Sequence, residues 1–168
     1  VNAYFNSIYL DGSCNGQTYC VYSNSTTPTV NLRNNVFENN VTSTSGNFGY
    51  FRNGGTLTAT YATTSNNNIY YAGTPGPGHY IYGDGAYNAF TNLQTTITAF
   101  RSFVGPTRES SSQSELSPFI STTGSSASFL KIIGTSASYA ENANLLDNLD
   151  STSFTTTSSF TTFTTKST

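Results

Sequence analysis

Two short motifs recur in phase along the first half of this chain, and no other feature narrows the fold as far. Asn6-Ser7-Ile8-Tyr9, Asn34-Asn35-Val36-Phe37 and Asn67-Asn68-Ile69-Tyr70 begin 28 and 33 residues apart. Each is followed by a second element: Val21-Tyr22-Ser23-Asn24, Tyr50-Phe51-Arg52-Asn53 and Ile81-Tyr82-Gly83-Asp84. The gap from the first aromatic to the second is 13, 14 and 12 residues. Chance matches would not keep step, so the pattern reads as an array of stacked units.

Composition decides which array. Only 35% of the 168 residues are apolar and 8% charged, while 14% are aromatic. Thr, Tyr and Phe favour strands, and the good helix formers are scarce. Helical repeats are excluded on that ground. Propeller blades need four strands in about 40–45 residues and signatures that are missing here. The expectation is an all-β chain folded as a parallel β-helix, a solenoid of about three to four rungs. Equivalent side chains would stack at the strand spacing of about 4.7–4.9 Å. Asn suits the corners, because it tolerates left-handed geometry and its amide bonds neighbouring backbone. Tyr9, Phe37 and Tyr70 would then form one inward column.

That assignment turns Ile8, Val36 and Ile69 outward, together with one residue of each apolar pair in the second element. Strands apolar on both faces are normally covered on both. The pattern therefore predicts another subunit over the outer face. The competing expectation is cover from loops and from the C-terminal half of the same chain.

Regularity stops after Gly85. Phe90, Leu93, Ile97 and Phe100 lie on one helical face, Asn88 is a suitable N-cap, and Gly105-Pro106 prevents continuation. One short capping helix is predicted near 89–102. Residues 107–128 read as an extended Ser-rich segment anchored by Leu116, Phe119 and Ile120, and 128–133 as one more strand.

The order of "NLRNNVFENN", "SNNNIYYAGTPGPG", "YIYGDG", "VGPTRESSS" and "LSPFISTTGSSASFLKI" resembles right-handed parallel β-helix domains of Bacteroidetes-type surface and secreted proteins. The resemblance covers 1–133 and implies a fold; that fold hosts enzymes, adhesins and spacers alike. Residues 134–168 form a Ser/Thr-rich tail. Within it, "ASYAENANLLDNLDSTSF" is similar to a repeat of bacteriophage tail fibres, matching at Ala143, Leu146, Asp147, Asp150, Ser151 and Phe154. Asn148 stands where that family has Gly. The resemblance implies a homotrimer whose apolar residues meet at an axis, here Leu145, Leu146, Leu149, Phe154, Phe160 and Phe163. A disordered linker is the plain alternative.

Several function classes drop out. Net charge is −2 and the six Lys and Arg are scattered, so no nucleic-acid surface is expected. No stretch approaches the roughly 20 apolar residues of a membrane span, so no membrane insertion is expected. Val1 opens on strand-like sequence with neither Met nor signal peptide, as in a processed chain or a piece of a longer one. Cys14 and Cys20 could close a short disulfide loop or remain buried thiols. With one His, far off, they do not make a zinc site, and no cofactor is expected.

Glycan-cleaving β-helix enzymes use paired carboxylates. Asp11 and Asp84 read instead as turn residues, Glu38 as solvent-facing, and Glu109 and Glu115 lie on another segment. Catalysis is not expected. Surface aromatics can stack on sugar rings, and the Tyr-rich loop with Tyr71, Tyr80 and Tyr87 is the candidate for carbohydrate contact. His79 reads as an ordinary loop residue. The glycosylation-like triplets at 24–26 and 40–42 are discounted in a phage or bacterial setting. The leading expectation is a structural virion fibre or spike component on the particle surface, bound to other virion proteins and to host glycans. A bacterial extracellular adhesin or cell-surface filament is the alternative, and a glycan-cleaving enzyme the third.

Overall fold

A computed structural model describes residues 1–24, 29–54, 60–86 and 89–132. Tyr87, Asn88 and every tail position named above lie outside them. Among the described residues the named elements are strands and one short helix, an all-β architecture.

The first repeat contains β1 (Asn2–Tyr4), β2 (Ser7–Leu10), β3 (Ser13–Cys14) and β4 (Thr18–Ser23). The second contains β5 (Asn31–Arg33), β6 (Val36–Asn39), β7 (Thr42–Ser43) and β8 (Asn47–Asn53). The third keeps β9 (Ile69–Tyr71) and β10 (His79–Ala86). Every strand lies parallel to its counterpart one repeat on: β1 with β5, β2 with β6 and then β9, β3 with β7, β4 with β8 and then β10.

The register corrects the alignment of the first copy by one residue. Ile8, not Tyr9, lies opposite Phe37, and Phe37 lies opposite Tyr70. Tyr9 faces Glu38 across the pair. The left-handed corner explains the slip. It is occupied by Phe5, Asn34 and Asn67, with φ of 58°, 56° and 59°. The second and third copies have two Asn, one for the corner and one for the position after it. The first copy has only Asn6, which goes to the later position, and Phe5 takes a backbone state that costs a non-glycine residue about 1–2 kcal/mol. A second slip occurs in the third repeat. Tyr82, not Ile81, lies opposite Tyr50, so Asp84 faces Arg52 rather than Asn53.

The core gathers Leu32, Phe37, Tyr50, Tyr70, Ile81 and Tyr82 with neighbours from all three repeats. Strand alternation breaks at Gly49-Tyr50. A Cβ on Gly49 would sit 3.2 Å from the Tyr70 ring, and Tyr50 packs on Tyr61 and Tyr82. Both positions therefore face inward, which leaves Phe48 and Phe51 together on the opposite face of the strand, 5.3 Å apart and both buried.

The predicted helix near 89–102 is shorter and preceded by a strand. β11 (Ala89–Gln94) runs antiparallel to β10. Only α1 (Ile97–Val104) is helical, capped by Thr96, whose Oγ1 accepts from the Ala99 N–H at 3.3 Å. Phe90 and Leu93 fit the helical spacing by coincidence. In the strand Phe90 reaches Phe48 and Phe51, while Leu93 is exposed. Pairing with the free edge of β10 satisfies backbone groups that an isolated, Thr-rich helix could not use as well. α1 closes one end of the core, with Phe100 stacked 4.6 Å from Tyr82.

The outer face of β6 and β9 is covered by the same chain. Val36, Glu38 and Ile69 are buried. Gln113 adds to β9, its N–H bonding Asn68 O at 2.8 Å and its O accepting from Tyr70 at 3.0 Å. Phe119 meets Tyr9 edge-on at 6.0 Å. These positions do not call for a second subunit. Leu116 and Ile120 leave their side chains exposed rather than buried against the rungs. No strand forms at 128–132. Leu130 has φ 52°, which breaks an extended run, and only single bridges link Ser121 with Phe129 and Phe119 with Ile132.

Candidate functional site

The residue after each corner builds a polar ladder. Asn35 Oδ1 accepts from both the N–H and the Nδ2 of Asn6, at 2.9 and 3.0 Å. Asn68 Oδ1 accepts the same pair from Asn35, at 3.0 and 2.9 Å. Ser112 Oγ then accepts from the Asn68 N–H at 2.8 Å. Buried amides satisfied in this way fix the register of the repeats, since an unpaired buried amide costs about 1–3 kcal/mol.

The ladder ends on a buried carboxylate. Glu109 accepts from Asn68 Nδ2 at 3.2 and 3.1 Å, from Tyr70 Oη at 3.2 Å, and from Tyr61 Oη and Ser112 Oγ. Burial pushes its pKa up against the opposing pull of these donors. Tyr61 and Tyr70 are raised well above the usual phenol range, first by burial and then by the nearby carboxylate. Glu38 also differs from its expected solvent-facing role. It is buried, and accepts from the Ser117 N–H at 3.0 Å and from Asn40 Nδ2 at 2.6 Å. Burial raises its pKa too, with the same hydrogen bonds opposing. Asp84 is no simple turn residue: it pairs with Arg52 and accepts from Tyr82 Oη at 3.0 Å. Both glutamates spend their lone pairs on internal donors, so neither presents itself in an open groove.

The outer aromatics form a platform on β4, β8 and β10. Tyr19 stacks on Phe48 at 5.2 Å, and Tyr80, opposite Phe48 one repeat on, lies 5.1 Å from the same ring. Beside them Tyr22 stacks on Phe51 at 5.8 Å with 21° between planes. Gly83 occupies the next place in that column, where a Cβ would stand 2.7 Å from Phe48 and 2.8 Å from Phe51. Phe90 packs against both rings. Tyr22 is 41% exposed, and its Oη accepts from Asn53 Nδ2 at 2.8 Å. A ring held parallel to a rigid neighbour, with its hydroxyl already oriented, is suited to an amphipathic ligand.

The sequence-predicted trio is not brought together by these contacts. Tyr80 belongs to this platform, Tyr71 stands on the separate sheet of β2, β6 and β9, and Tyr87 lies outside the described residues. Tyr19 and Tyr22 were missed, although both recur in phase with Phe48 and Phe51. His79 opens β10 rather than a loop, and its Nδ1 lies 2.7 Å from Ala72 O, against Gly73. Cys14 is an exposed free thiol; Cys20 is a half-buried one whose pKa is pushed far up, first by burial and then by Glu38. Among the described residues no group of three His, Cys, Asp or Glu is placed to hold a metal, and no helix is long and apolar enough to cross a membrane.

Compared with known proteins, the chain matches no family model, no curated protein and no solved structure.

Proposed function

We propose that this chain is a structural component of a virion fibre or spike, built as a right-handed parallel β-helix, which presents an aromatic surface to host glycans. The observation that carries the reading is the ladder from Asn6 through Asn35 to Asn68, with strands in parallel register on either side of it. Such a stack is a rigid rod whose inner polar groups are consumed by structure, which suits a mechanical part better than a catalyst. The likeness of residues 143–154 to tail-fibre repeats supports the virion assignment. It also supports a homotrimer joined through Leu145, Leu146, Leu149, Phe154, Phe160 and Phe163. The platform around Tyr19, Tyr22 and Tyr80 supports glycan contact, because flat rings accept the apolar face of a sugar while Asn53 supplies a polar neighbour.

Two measurements test this. Light scattering on the whole chain and on residues 1–133 is expected to give a trimer for the first and a smaller species for the second; a monomer in both removes the trimer. A glycan array probed with the whole chain is expected to give hits that Tyr22→Ala abolishes. Hits untouched by that change would remove the platform from the binding role.

A further inference from the structure

Among the described residues the two ends of the stack are made differently. At the third repeat β10 is edged by β11, β9 by Gln113, and α1 packs over Tyr70 and Tyr82. At the first repeat β1, β2, β3 and β4 each pair on one side only. Ala3, Ile8 and Val21 pack on the core but stay partly exposed, while their partners Leu32, Phe37 and Tyr50 are buried. Tyr4, Phe5 and Tyr22 are exposed on the same repeat. Free strand edges are usually blunted by charge, Pro or bulges. Residues 1–24 contain one charged side chain, Asp11, and no Pro.

The ladder has a direction as well as an end. Each ladder oxygen accepts the backbone and side-chain N–H of the residue one repeat earlier. Asn6 donates in this way, and its own Oδ1 accepts from no described residue.

We infer that the open face of β1, β2 and β4 docks one more parallel strand layer: an extended, uncharged peptide segment with an Asn that donates its N–H and Nδ2 to Asn6 Oδ1. This goes beyond the fibre reading and rests on strand register alone. The occupant runs parallel, because only that direction presents donors to the waiting acceptor. A second copy docked face to face would run antiparallel about a twofold axis and oppose two like oxygens. A second copy docked by its far end would meet α1, the 109–113 corner and the outer edge of β11, which runs antiparallel to the stack and so offers no parallel layer. The segment that fits has the chemistry of the chain's own repeats.

The test adds a copy of residues 1–29 ahead of Val1 in the full chain, so that the added Asn falls 29 residues before Asn6. Hydrogen exchange is expected to show the alternate, outward-facing amides of β2 and β4 slowed by about tenfold or more. Replacing only the added Asn by Ala is expected to reverse much of that protection, while the original fold stays intact. Unchanged exchange in the extended chain overturns the inference. So does protection of the same amides in the unextended chain, whether as a monomer, where its own residues cover the face, or as a dimer, where a second copy does.

Discussion

Asp84 Oδ2 lies 2.8 Å from Nη1 of Arg52, directly across the parallel pairing of β8 and β10. The guanidinium is almost wholly buried and the carboxylate is 14% exposed. Tyr82 Oη adds a third polar group, 3.1 Å from Arg52 Nη1. The pair therefore locks the third repeat to the second at one residue of register. It also explains why Asp84 stands in "GDG" where neither earlier repeat has an acid.

Replacing Asp84 by Ala leaves a buried cation without this carboxylate. The expected loss is about 3 kcal/mol, the low end for breaking a buried pair because one partner reaches solvent. Urea unfolding of Asp84→Ala checks this, and the double change with Arg52→Met is expected to recover part of the loss. A loss below about 1 kcal/mol would mean that the pair is screened like a surface bridge.

Asn35 is the central member of the ladder, accepting from Asn6 and donating to Asn68 Oδ1 and Ala3 O. Asn35→Ala is expected to cost about 2–4 kcal/mol, since it strands buried amide groups on both sides. Asn6→Ala removes an end of the ladder and is expected to cost about 1 kcal/mol or less. Equal losses in thermal or urea unfolding would show that the ladder is not a connected unit.

The period was legible because two motifs keep phase, and phase survives scattered substitution. The exact register was not, because "FNSIY" has one Asn where "NNVF" and "NNIY" have two, and nothing in the letters says that Phe5 accepts the corner. The inward pair Gly49-Tyr50 defeats simple alternation, so the outer aromatic columns stayed hidden although Tyr19 and Phe48 recur 29 residues apart. β11 imitates a helix through Phe90 and Leu93. Of the platform rings, only Tyr80 is an expected carbohydrate contact from the sequence; Tyr22, Phe51 and Phe90 enter it as repeat or helix positions. Glu109 meets Asn68 from 41 residues further on, a contact made by the return of the chain after α1 and carried by no local pattern.

Gly83 makes room for the outer rings. A methyl group there would overlap Phe48 and Phe51, and neither ring can retreat while Phe90 packs against both. Gly83→Ala is expected to destabilise by about 1–3 kcal/mol, the range for overpacking. It should also loosen Tyr22, visible as a change in tyrosine fluorescence or ring proton shifts. Gly124→Ala, where a Cβ meets nothing within 4 Å, serves as the control and should stay within about 0.5 kcal/mol of the parent.

Glu109 and Glu38 give the pH dependence an unusual sign. Both have folded pKa values raised above the ordinary 4.5, in each case chiefly by burial. A raised acid binds its proton more tightly when folded than when unfolded. Its contribution is therefore fully present below about 4.5 and is lost as pH rises through the folded value. Tyr61 and Tyr70, which touch Glu109, titrate far above that window. Arg101 Nε reaches the Glu109 backbone O, and Arg108 Nε the Tyr61 O, at 3.0 and 2.9 Å. Urea midpoints measured from pH 4.5 to 8 are expected to fall as pH rises, opposite to the usual acid lability of salt-bridged carboxylates. Glu109→Gln should flatten much of that slope and Glu38→Gln a further part. A midpoint that rises with pH, or a slope untouched by Glu109→Gln, would mean that the hydrogen bonds from Ser112, Tyr61, Asn68 and Tyr70 outweigh burial and keep the carboxylate ionised in the folded chain.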